Sequence, residues 1–302
     1  MSGLSLLCSI LDWSCDGTFF CAPTNFEQVS IVGIQEGHLF TPCIYAFLTR
    51  KRTESYKAVF DFLNSQGITS PLTCSMGFEQ GISNALLSTY RNVTVQRCGF
   101  HFFNAIYRKL QEKKLSARYA DMLNKKYLQG VMALALIPEA DIPHYYEELR
   151  EEALDQLPLP DRQHAEDFYD YVERTYVGVL AQNGRRTTPP FPTSTWSLYS
   201  RILSGQEIGN SSVESYNSKL KKVPPASSAQ KVASILLEHQ IIFKDHYSSA
   251  MQQQLTLPQA FPQSRSTADR HTRRRQAVMN GALGKTETEH LYYLCSWVNP
   301  TV

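Results

Sequence analysis

The carboxylate of Asp16 stands inside the apolar, strand-like stretch of residues 11–20 and is followed directly by Gly17. A carboxylate among buried strand residues is costly unless it is hydrogen-bonded, paired or bound to a cation. A glycine beside it allows another chain segment or a ligand to approach closely. This stretch alone leaves two interpretations open: Asp16 caps a turn at a strand end, or it binds a ligand.

Carboxylates at the ends of two neighbouring strands can hold the divalent cations that catalyse phosphoryl transfer, with two ions about 3.5–4 Å apart. The predicted first strand carries Asp16, and the predicted fourth strand ends near Gly77, so we expect Gly77 to lie beside Asp16. Glycine supplies no ligand. Glu79 follows two residues later as a poorly placed substitute, and the positive end of a helix dipole also explains a glutamate there.

Cys98 and His101 are spaced as a Cys-x-x-His pair, which can ligate zinc. A structural zinc site normally needs four ligands, and no second pair is nearby in the sequence, so we do not predict zinc. Two interpretations of His101 remain open. It caps the helix that follows, or it lies at the end of the fifth strand and contacts a phosphate or leaving oxygen near Asp16.

Glu214 is a third acidic candidate, within the sequence Asn210-Ser211-Ser212-Val213-Glu214. Ser211 or Ser212 would cap a helix, and a glutamate in the first turn is typical of such a capping motif. The competing interpretation makes Glu214 a metal-binding carboxylate that a late helix brings to Asp16.

Hydrophobic periodicity in the first third of the chain predicts an α/β fold. Strands are predicted over residues 6–20, 26–33 and 42–48, and their short links favour an antiparallel meander. Strands over 72–75 and 93–96 then alternate with helices over 53–66, 78–90 and 102–114, with Thr53 as an N-cap. This order predicts a mixed five-stranded sheet flanked by helices, as in the ribonuclease H-like fold.

The remainder of the chain is predicted to be mostly helical, with Thr- and Pro-rich residues 185–195 as a loop. Helices are predicted over 211–222 and 229–251, and little fixed structure is expected over 252–285.

Charge is balanced overall but uneven along the chain. The formal net charge is +2, with 42% hydrophobic and 19% charged residues, which describes a globular protein and names no partner. Residues 108–126 are basic and residues 139–173 acidic, although such runs are most often solvated faces. The basic side chains that could contact an anionic partner are Arg108, Lys109, Lys113, Lys114, Arg273, Arg274 and Arg275.

The seven cysteines form no Cys-x-x-Cys pair and lie mostly in apolar runs, which indicates reduced, buried thiols. The first ten residues have no basic segment and are too short for a signal peptide or a membrane span. We therefore expect an intracellular protein, nuclear or cytoplasmic, that is not secreted and has no membrane partner.

Taken together, these residues resemble the Mutator-like element (MULE) transposase domain over about residues 10–250. The motifs that carry the resemblance are Asp16-Gly17-Thr18-Phe19, Gly77-Phe78-Glu79, Cys98-Gly99-Phe100-His101 and Asn210 to Glu214. The resemblance implies a ribonuclease H-like core over 1–116, an all-helical insertion over 117–205 and core helices carrying Glu214 over 206–251, followed here by a flexible basic tail over 252–302. It implies an Asp–Asp–Glu triad that uses Mg²⁺ or Mn²⁺ for DNA strand cleavage and transfer. It also implies that the Cys98–His101 pair lies close to the triad.

Asp16 and Glu214 match the first and third acids of that triad, whereas Gly77 occupies the position of the second. Loss of such a ligand should lower the rate by about 10³-fold or more. We expect a transposase-derived DNA-binding protein, compatible with a homo-oligomer, in which catalysis is impaired. The alternatives are an active transposase or nuclease that uses Glu79, and a protein-interaction module that binds no nucleic acid.

Overall fold

The computed structural model describes residues 2–209, 211–224, 227–280 and 287–298. The chain forms two compact units, each assembled from two separate stretches. The first unit comprises Met1–Gln96 and Asn210–Ser264, and the second comprises Arg97–Gly209 and Arg265–Val302. The domain boundaries drawn from sequence after residues 116, 205 and 251 stay predictions.

A five-stranded sheet forms the centre of the first unit. Its strands are β1 (Asp12–Thr18), β2 (Gln28–Glu36), β3 (Leu39–Leu48), β4 (Thr73–Met76) and β5 (Thr94–Arg97), in the spatial order β3-β2-β1-β4-β5. β1 pairs antiparallel with β2, β2 pairs antiparallel with β3, and β1 pairs parallel with β4. The predicted mixed sheet of ribonuclease H-like type is confirmed.

Helices cover both faces of this sheet. They are α1 (Gly3–Ser9), α2 (Thr53–Ser65), α3 (Gln80–Thr89), α11 (Ser211–Leu220), α12 (Ala229–Gln252) and α13 (Leu257–Ala260). Because strand side chains alternate between faces, neighbouring residues of β2 enter different cores. Val32 packs in a cluster with Phe60 of α2, whereas Ile31 packs in a second cluster with Val213 of α11.

Two local predictions in this unit are wrong. Residues 6–9 belong to helix α1 and not to the first strand: the Ser2 hydroxyl accepts a hydrogen bond from the Ser5 N–H at 3.1 Å, and Leu6 and Leu7 are buried. Thr53 is the first residue of α2, and the N-cap position belongs to Arg52, which makes no side-chain capping bond.

The described part of the second unit is built mainly of helices. Its helices are α4 (Gly99–Glu112), α5 (Ser116–Ala120), α6 (Met122–Ala133), α7 (Ile142–Gln156), α8 (Leu159–Val172), α9 (Thr193–Trp196), α10 (Tyr199–Leu203), α14 (Arg265–Asn280) and α15 (Glu287–Cys295). Trp196 lies in its core, where the indole stacks on the Phe102 ring with centroids 4.7 Å apart. The Trp196 Nε1–H donates to the Phe191 carbonyl at 3.1 Å.

Residues 265–280 form helix α14, where composition predicts little fixed structure. Polar and basic residues mask the weak apolar signal of this segment, in which Ala277 and Val278 are buried. These two buried residues supply the packing that a mostly polar helix needs. Residues 281–286 and 299–302 of the predicted tail lie outside the described residues.

Among the described residues, no helix has both the length and the apolar composition needed to span a membrane.

The tight pairing of β2 with β3 gives a stability prediction. A Cβ on Gly33 would lie 2.4 Å from the Thr41 carbonyl oxygen and 2.5 Å from a Phe40 ring carbon, whereas a Cβ on Gly81 of α3 would meet ordinary contacts of 3.4 Å or more. Gly33→Ala should therefore lower the free energy of unfolding by about 2 kcal/mol through overpacking. Gly81→Ala, as the matched control, should raise it by about 0.5–1 kcal/mol. Urea midpoints followed by circular dichroism measure both, and equal midpoints would contradict the packing described here.

Candidate metal centre

Asp16 lies on the face of the sheet that α11 covers. Its partner in the β1–β2 register is Ile31, and directly opposed residues of an antiparallel pair point to the same face. Ile31 packs with Val213 and Tyr216 of α11. Strand alternation therefore directs the carboxylate of Asp16 towards this helix.

Helix α11 brings two polar side chains to that carboxylate. The helix is held by Val213, Tyr216 and Leu220, which are buried. Asn217 Nδ2–H donates to Asp16 Oδ2 at 2.6 Å. Glu214 precedes Asn217 by three residues and therefore shares its face of the helix. Carboxylate oxygens of Asp16 and Glu214 lie within 4.8 Å of each other.

Burial raises the pKa of Asp16 to about 6, and the negative charge of Glu79 adds to the rise. Hydrogen bonds from the Gly17 N–H and from Asn217 stabilise the ionised form and act in the opposite direction. The carboxylate is therefore held in a position that favours either a proton or a cation over the free anion.

The side chain of Gln28 packs directly against Gly17. A Cβ at this position would stand 2.7 Å from Gln28 Oε1, so the absence of a side chain leaves room for the buried Gln28 amide. The close approach predicted for this glycine is that of a neighbouring strand's side chain.

Gly77 lies where sequence reasoning expects the second acid. The parallel register of β1 and β4 pairs Cys15 with Met76, and continued by one residue it sets Gly77 beside Asp16. Position 77 contributes no side chain to the group around Asp16. The assignment of Gly77 to the position of the second acid stays a prediction.

Glu79 is held next to this gap by a chain of hydrogen bonds. It occupies the N-cap position of α3 but makes no side-chain capping bond. The Tyr56 hydroxyl donates to Glu79 Oε1 at 2.6 Å, and the Gln28 amide donates to the Tyr56 oxygen. Burial, together with the bond to Glu79, raises the pKa of Tyr56, so its hydroxyl stays protonated as a donor.

The donors around Asp16 fit a metal ion. They are carboxylate oxygens from Asp16 and Glu214, supplemented by Asn217 Oδ1, which is buried and has no hydrogen-bond partner among the described residues. Hard oxygen donors of this kind suit hard divalent cations. A cation would also offset the burial that raises the pKa of Asp16.

The Cys-x-x-His pair belongs to the second unit. Cys98 is the N-cap residue of α4 and is buried, and His101 lies in the first turn of that helix. His101 therefore neither caps the helix, because Cys98 holds the N-cap position, nor lies at the end of β5, which ends at Arg97. Its proposed contact with a phosphate or leaving oxygen stays a prediction.

Some of the predicted DNA-contacting residues already form ion pairs with acids or are partly buried, and others are exposed. Lys109 forms an ion pair with Glu112, and Lys113 lies 3.1 Å from Asp167. Arg274 is half-buried, and burial lowers its pKa. The exposed members of the set are Arg108, Lys114, Arg273 and Arg275.

Sequence reasoning assigned no role to Asn217, Gln28 or Tyr56. The helical spacing of Asn217 from Glu214 is a signal that could have found the first of these. Gln28 and Tyr56 carry no local signal, because their connection to Glu79 exists through contacts between separate elements.

The segment that contains Asp16, Gly77 and Glu79 is similar to a known protein family. Residues 13–105 match the model of the MULE transposase domain. The match covers about a third of the chain and includes the whole sheet except Asp12, together with the Cys98–His101 pair. Glu214 lies outside the matched segment, so its role depends on the geometry around Asp16. No curated protein matches the chain.

The raised pKa of Asp16 gives a prediction on pH and stability. The pKa of Asp16 is about 6 in the folded chain and 3.8 without the fold, so near pH 4 the folded chain holds the proton more tightly than the unfolded chain does. This difference stabilises the folded state at low pH. The stabilisation is lost as the pH rises through about 6, where the folded chain also has to ionise Asp16. Asp16→Asn should therefore raise the free energy of unfolding at pH 7.5, by at most about 3 kcal/mol, and change it little at pH 4. Urea unfolding at both pH values measures this difference.

Asp61→Asn is the control, because Asp61 is exposed and paired with Lys57. It should give no gain in stability at pH 7.5. If Asp16→Asn destabilises the protein equally at both pH values, burial does not govern the ionisation of Asp16.

Proposed function

We propose that this chain is a transposase-derived DNA-binding protein in which metal-dependent strand cleavage is impaired. The observation that carries the proposal is the pairing of Asp16 with Glu214 beside a strand end that supplies Gly77 in place of an acid. The match of residues 13–105 to the MULE transposase domain supports a transposase origin.

In this proposal Asp16 and Glu214 hold Mg²⁺ or Mn²⁺, and Asn217 orients Asp16. A bound ion of this kind stabilises charge on a phosphate and activates a water molecule or hydroxyl group for attack. Two carboxylates are fewer than a two-ion site needs, so we expect weak, incomplete metal binding. His101 is assigned a contact with phosphate on the strength of the family resemblance alone.

DNA binding is proposed to depend on phosphate contacts with little sequence preference. Arg108, Lys114, Arg273 and Arg275 are the strongest candidates because they are exposed. Lys109, Lys113 and Arg274 remain in the proposed set, although acids or burial already engage them. A DNA-binding role agrees with the predicted nuclear or cytoplasmic location.

Metal binding can be tested without any activity. Mn²⁺ should raise the thermal midpoint of the wild-type protein, because an ion that binds the folded state stabilises it. Asp16→Asn should abolish the rise, and Asp61→Asn should keep it. A rise of equal size in Asp16→Asn would show that the ion binds elsewhere.

Nicking of supercoiled plasmid with Mg²⁺ or Mn²⁺ tests the impairment. The wild-type protein should nick slowly or not at all, and Gly77→Asp should raise the rate, by as much as about 10³-fold if the restored ligand completes the site. Asp16→Asn combined with Gly77→Asp is the control and should be inactive. Rapid nicking by the wild-type protein would contradict impaired catalysis.

Salt dependence tests phosphate binding. Affinity for a duplex should fall steeply between low and physiological salt, and removal of each phosphate contact should reduce the slope of log K against log salt by about 1. Arg273→Ala and Arg275→Ala should therefore flatten the slope, whereas Lys57→Ala should not, because Lys57 is engaged by Asp61. A salt-independent affinity, or no binding at all, would contradict the proposal.

The second candidate function is an active metal-dependent DNA transposase or nuclease that uses Glu79. The observation in its favour is the hydrogen bond that fixes Glu79 to Tyr56, together with the effect of Glu79 on the pKa of Asp16. If the wild-type protein nicks DNA, Glu79→Gln should abolish the activity and Glu54→Gln, an exposed glutamate of α2, should retain it.

A further inference from the structure

Two consecutive phenylalanines are exposed in the turn that follows β1. The side chains of Phe19 and Phe20 are 48% and 62% exposed, respectively. Isolated exposed apolar residues are ordinary on a protein surface. Two adjacent aromatic rings in a turn, outside both core clusters of the first unit, are better explained by contact with a partner.

A lysine ammonium group lies over each of these two rings. Lys51 Nζ lies 3.5 Å from the centroid of the Phe19 ring, and Lys221 Nζ lies 4.8 Å from the centroid of the Phe20 ring. Lys51 comes from the link between β3 and α2, and Lys221 comes from the turn after α11. We call these four residues the aromatic–basic patch.

The surroundings of the patch are predominantly positive. Arg50, Arg52 and Lys222 are exposed neighbours in the chain of its two lysines. Two acids lie nearby: Glu27 Oε2 accepts a hydrogen bond from the Lys51 backbone N–H at 3.0 Å, and the exposed Glu54 follows Lys51 by three residues. The balance therefore favours an anionic partner.

The patch is positioned by the elements that position the candidate metal centre. Phe19 follows Asp16 by three residues along β1 and the start of its turn. Lys221 follows Asn217 by four residues, about one helical turn, and Asn217 donates to Asp16. Because Phe19 and Asp16 are only three positions apart in the chain, a polymer bound to the patch would lie near the candidate metal centre.

We propose that the aromatic–basic patch binds single-stranded DNA, with unpaired bases stacking on Phe19 and Phe20 and phosphates contacting Lys51 and Lys221. This inference rests on the DNA binding proposed above and adds a strand preference to it. Aromatic side chains stack on any base, and cationic groups follow the backbone between the stacked bases. Bases in a duplex are already stacked on one another, so the patch favours unpaired strands.

The chemistry of the patch distinguishes this partner from others. A lipid surface would use the rings as apolar anchors, with no requirement for aromaticity. If the patch instead bound a protein, substitution of the two phenylalanines would not change the affinity for an oligonucleotide. Single-stranded DNA requires aromatic rings and cations together.

Fluorescence anisotropy with a labelled thymidine oligonucleotide and with a blunt duplex of equal length provides the test. The double variant Phe19→Ala/Phe20→Ala should lose at least about fivefold in affinity for the single strand, given the usual contribution of one stacked base. Its affinity for the duplex should change less than twofold. Leu237→Ala is the matched control, because Leu237 on α12 is 63% exposed and distant in the chain from the patch.

Two further substitutions separate stacking from simple apolar contact. Phe19→Tyr/Phe20→Tyr should retain the single-strand affinity, and Phe19→Leu/Phe20→Leu should lose it. Lys51→Ala/Lys221→Ala should weaken binding and flatten its salt dependence. Because all four side chains are exposed, the thermal midpoints of these variants should match that of the wild-type protein.

The outcomes are distinct. Unchanged single-strand affinity in Phe19→Ala/Phe20→Ala, or full affinity in the leucine pair, overturns the proposal while duplex binding still supports the proposed function. Wild-type protein that binds neither oligonucleotide overturns both. Co-sedimentation with phosphatidylserine vesicles that depends on the two phenylalanines, with single-strand affinity unchanged, assigns the patch to a lipid surface and overturns the proposal.

Discussion

The hydrogen bond from Asn217 to Asp16 joins residues 201 positions apart in the chain. It depends on α11 lying flat against the sheet, which in turn depends on the buried side chains of Val213, Tyr216 and Leu220. Apolar packing therefore sets the distance between Asp16 and Glu214, and the amide fixes the direction in which the Asp16 carboxylate points. The candidate metal centre, its electrostatics and the placement of Lys221 all follow from the seating of this one helix.

An acid surrounded by packed side chains is stable only while something compensates its charge. In this chain α11 supplies the Asn217 amide, which stabilises the charge, but it also brings the second carboxylate of Glu214, which does not. Position 77 on the adjacent strand supplies no side chain. Glu79 adds negative charge near Asp16, and its carboxylate is engaged by a hydrogen bond from the Tyr56 hydroxyl. The raised pKa of Asp16 follows from its burial and from the negative charge of Glu79. The expectation of slow chemistry rests on a separate feature, which is that position 77 offers no side chain as a ligand.

Local sequence signals predicted the sheet well and the site in part. Alternation and turn residues located five strands, because a buried strand must present apolar side chains at period two. The same signals placed residues 6–9 in a strand, since a short apolar run does not distinguish helix from strand, and they missed α14, whose polar residues hide two buried ones. Family motifs selected Asp16 and Glu214 as candidates, and the structure brings their carboxylate oxygens within 4.8 Å of each other. The partnership of Gln28 with Tyr56 was not, because no spacing in the sequence encodes a contact across separate elements.

The first unit is interrupted in sequence, with Met1–Gln96 and Asn210–Ser264 separated by most of the second unit. During synthesis the sheet emerges long before α11 and α12, so the face that carries Ile31 stays uncovered while the intervening helices are made. Contacts of such high sequence separation form slowly, and uncovered strands are prone to aggregation in the interval. The nascent chain thus has a period of vulnerability whose length is set by the speed of the ribosome, and chaperones have a defined apolar surface to protect until residue 236 appears.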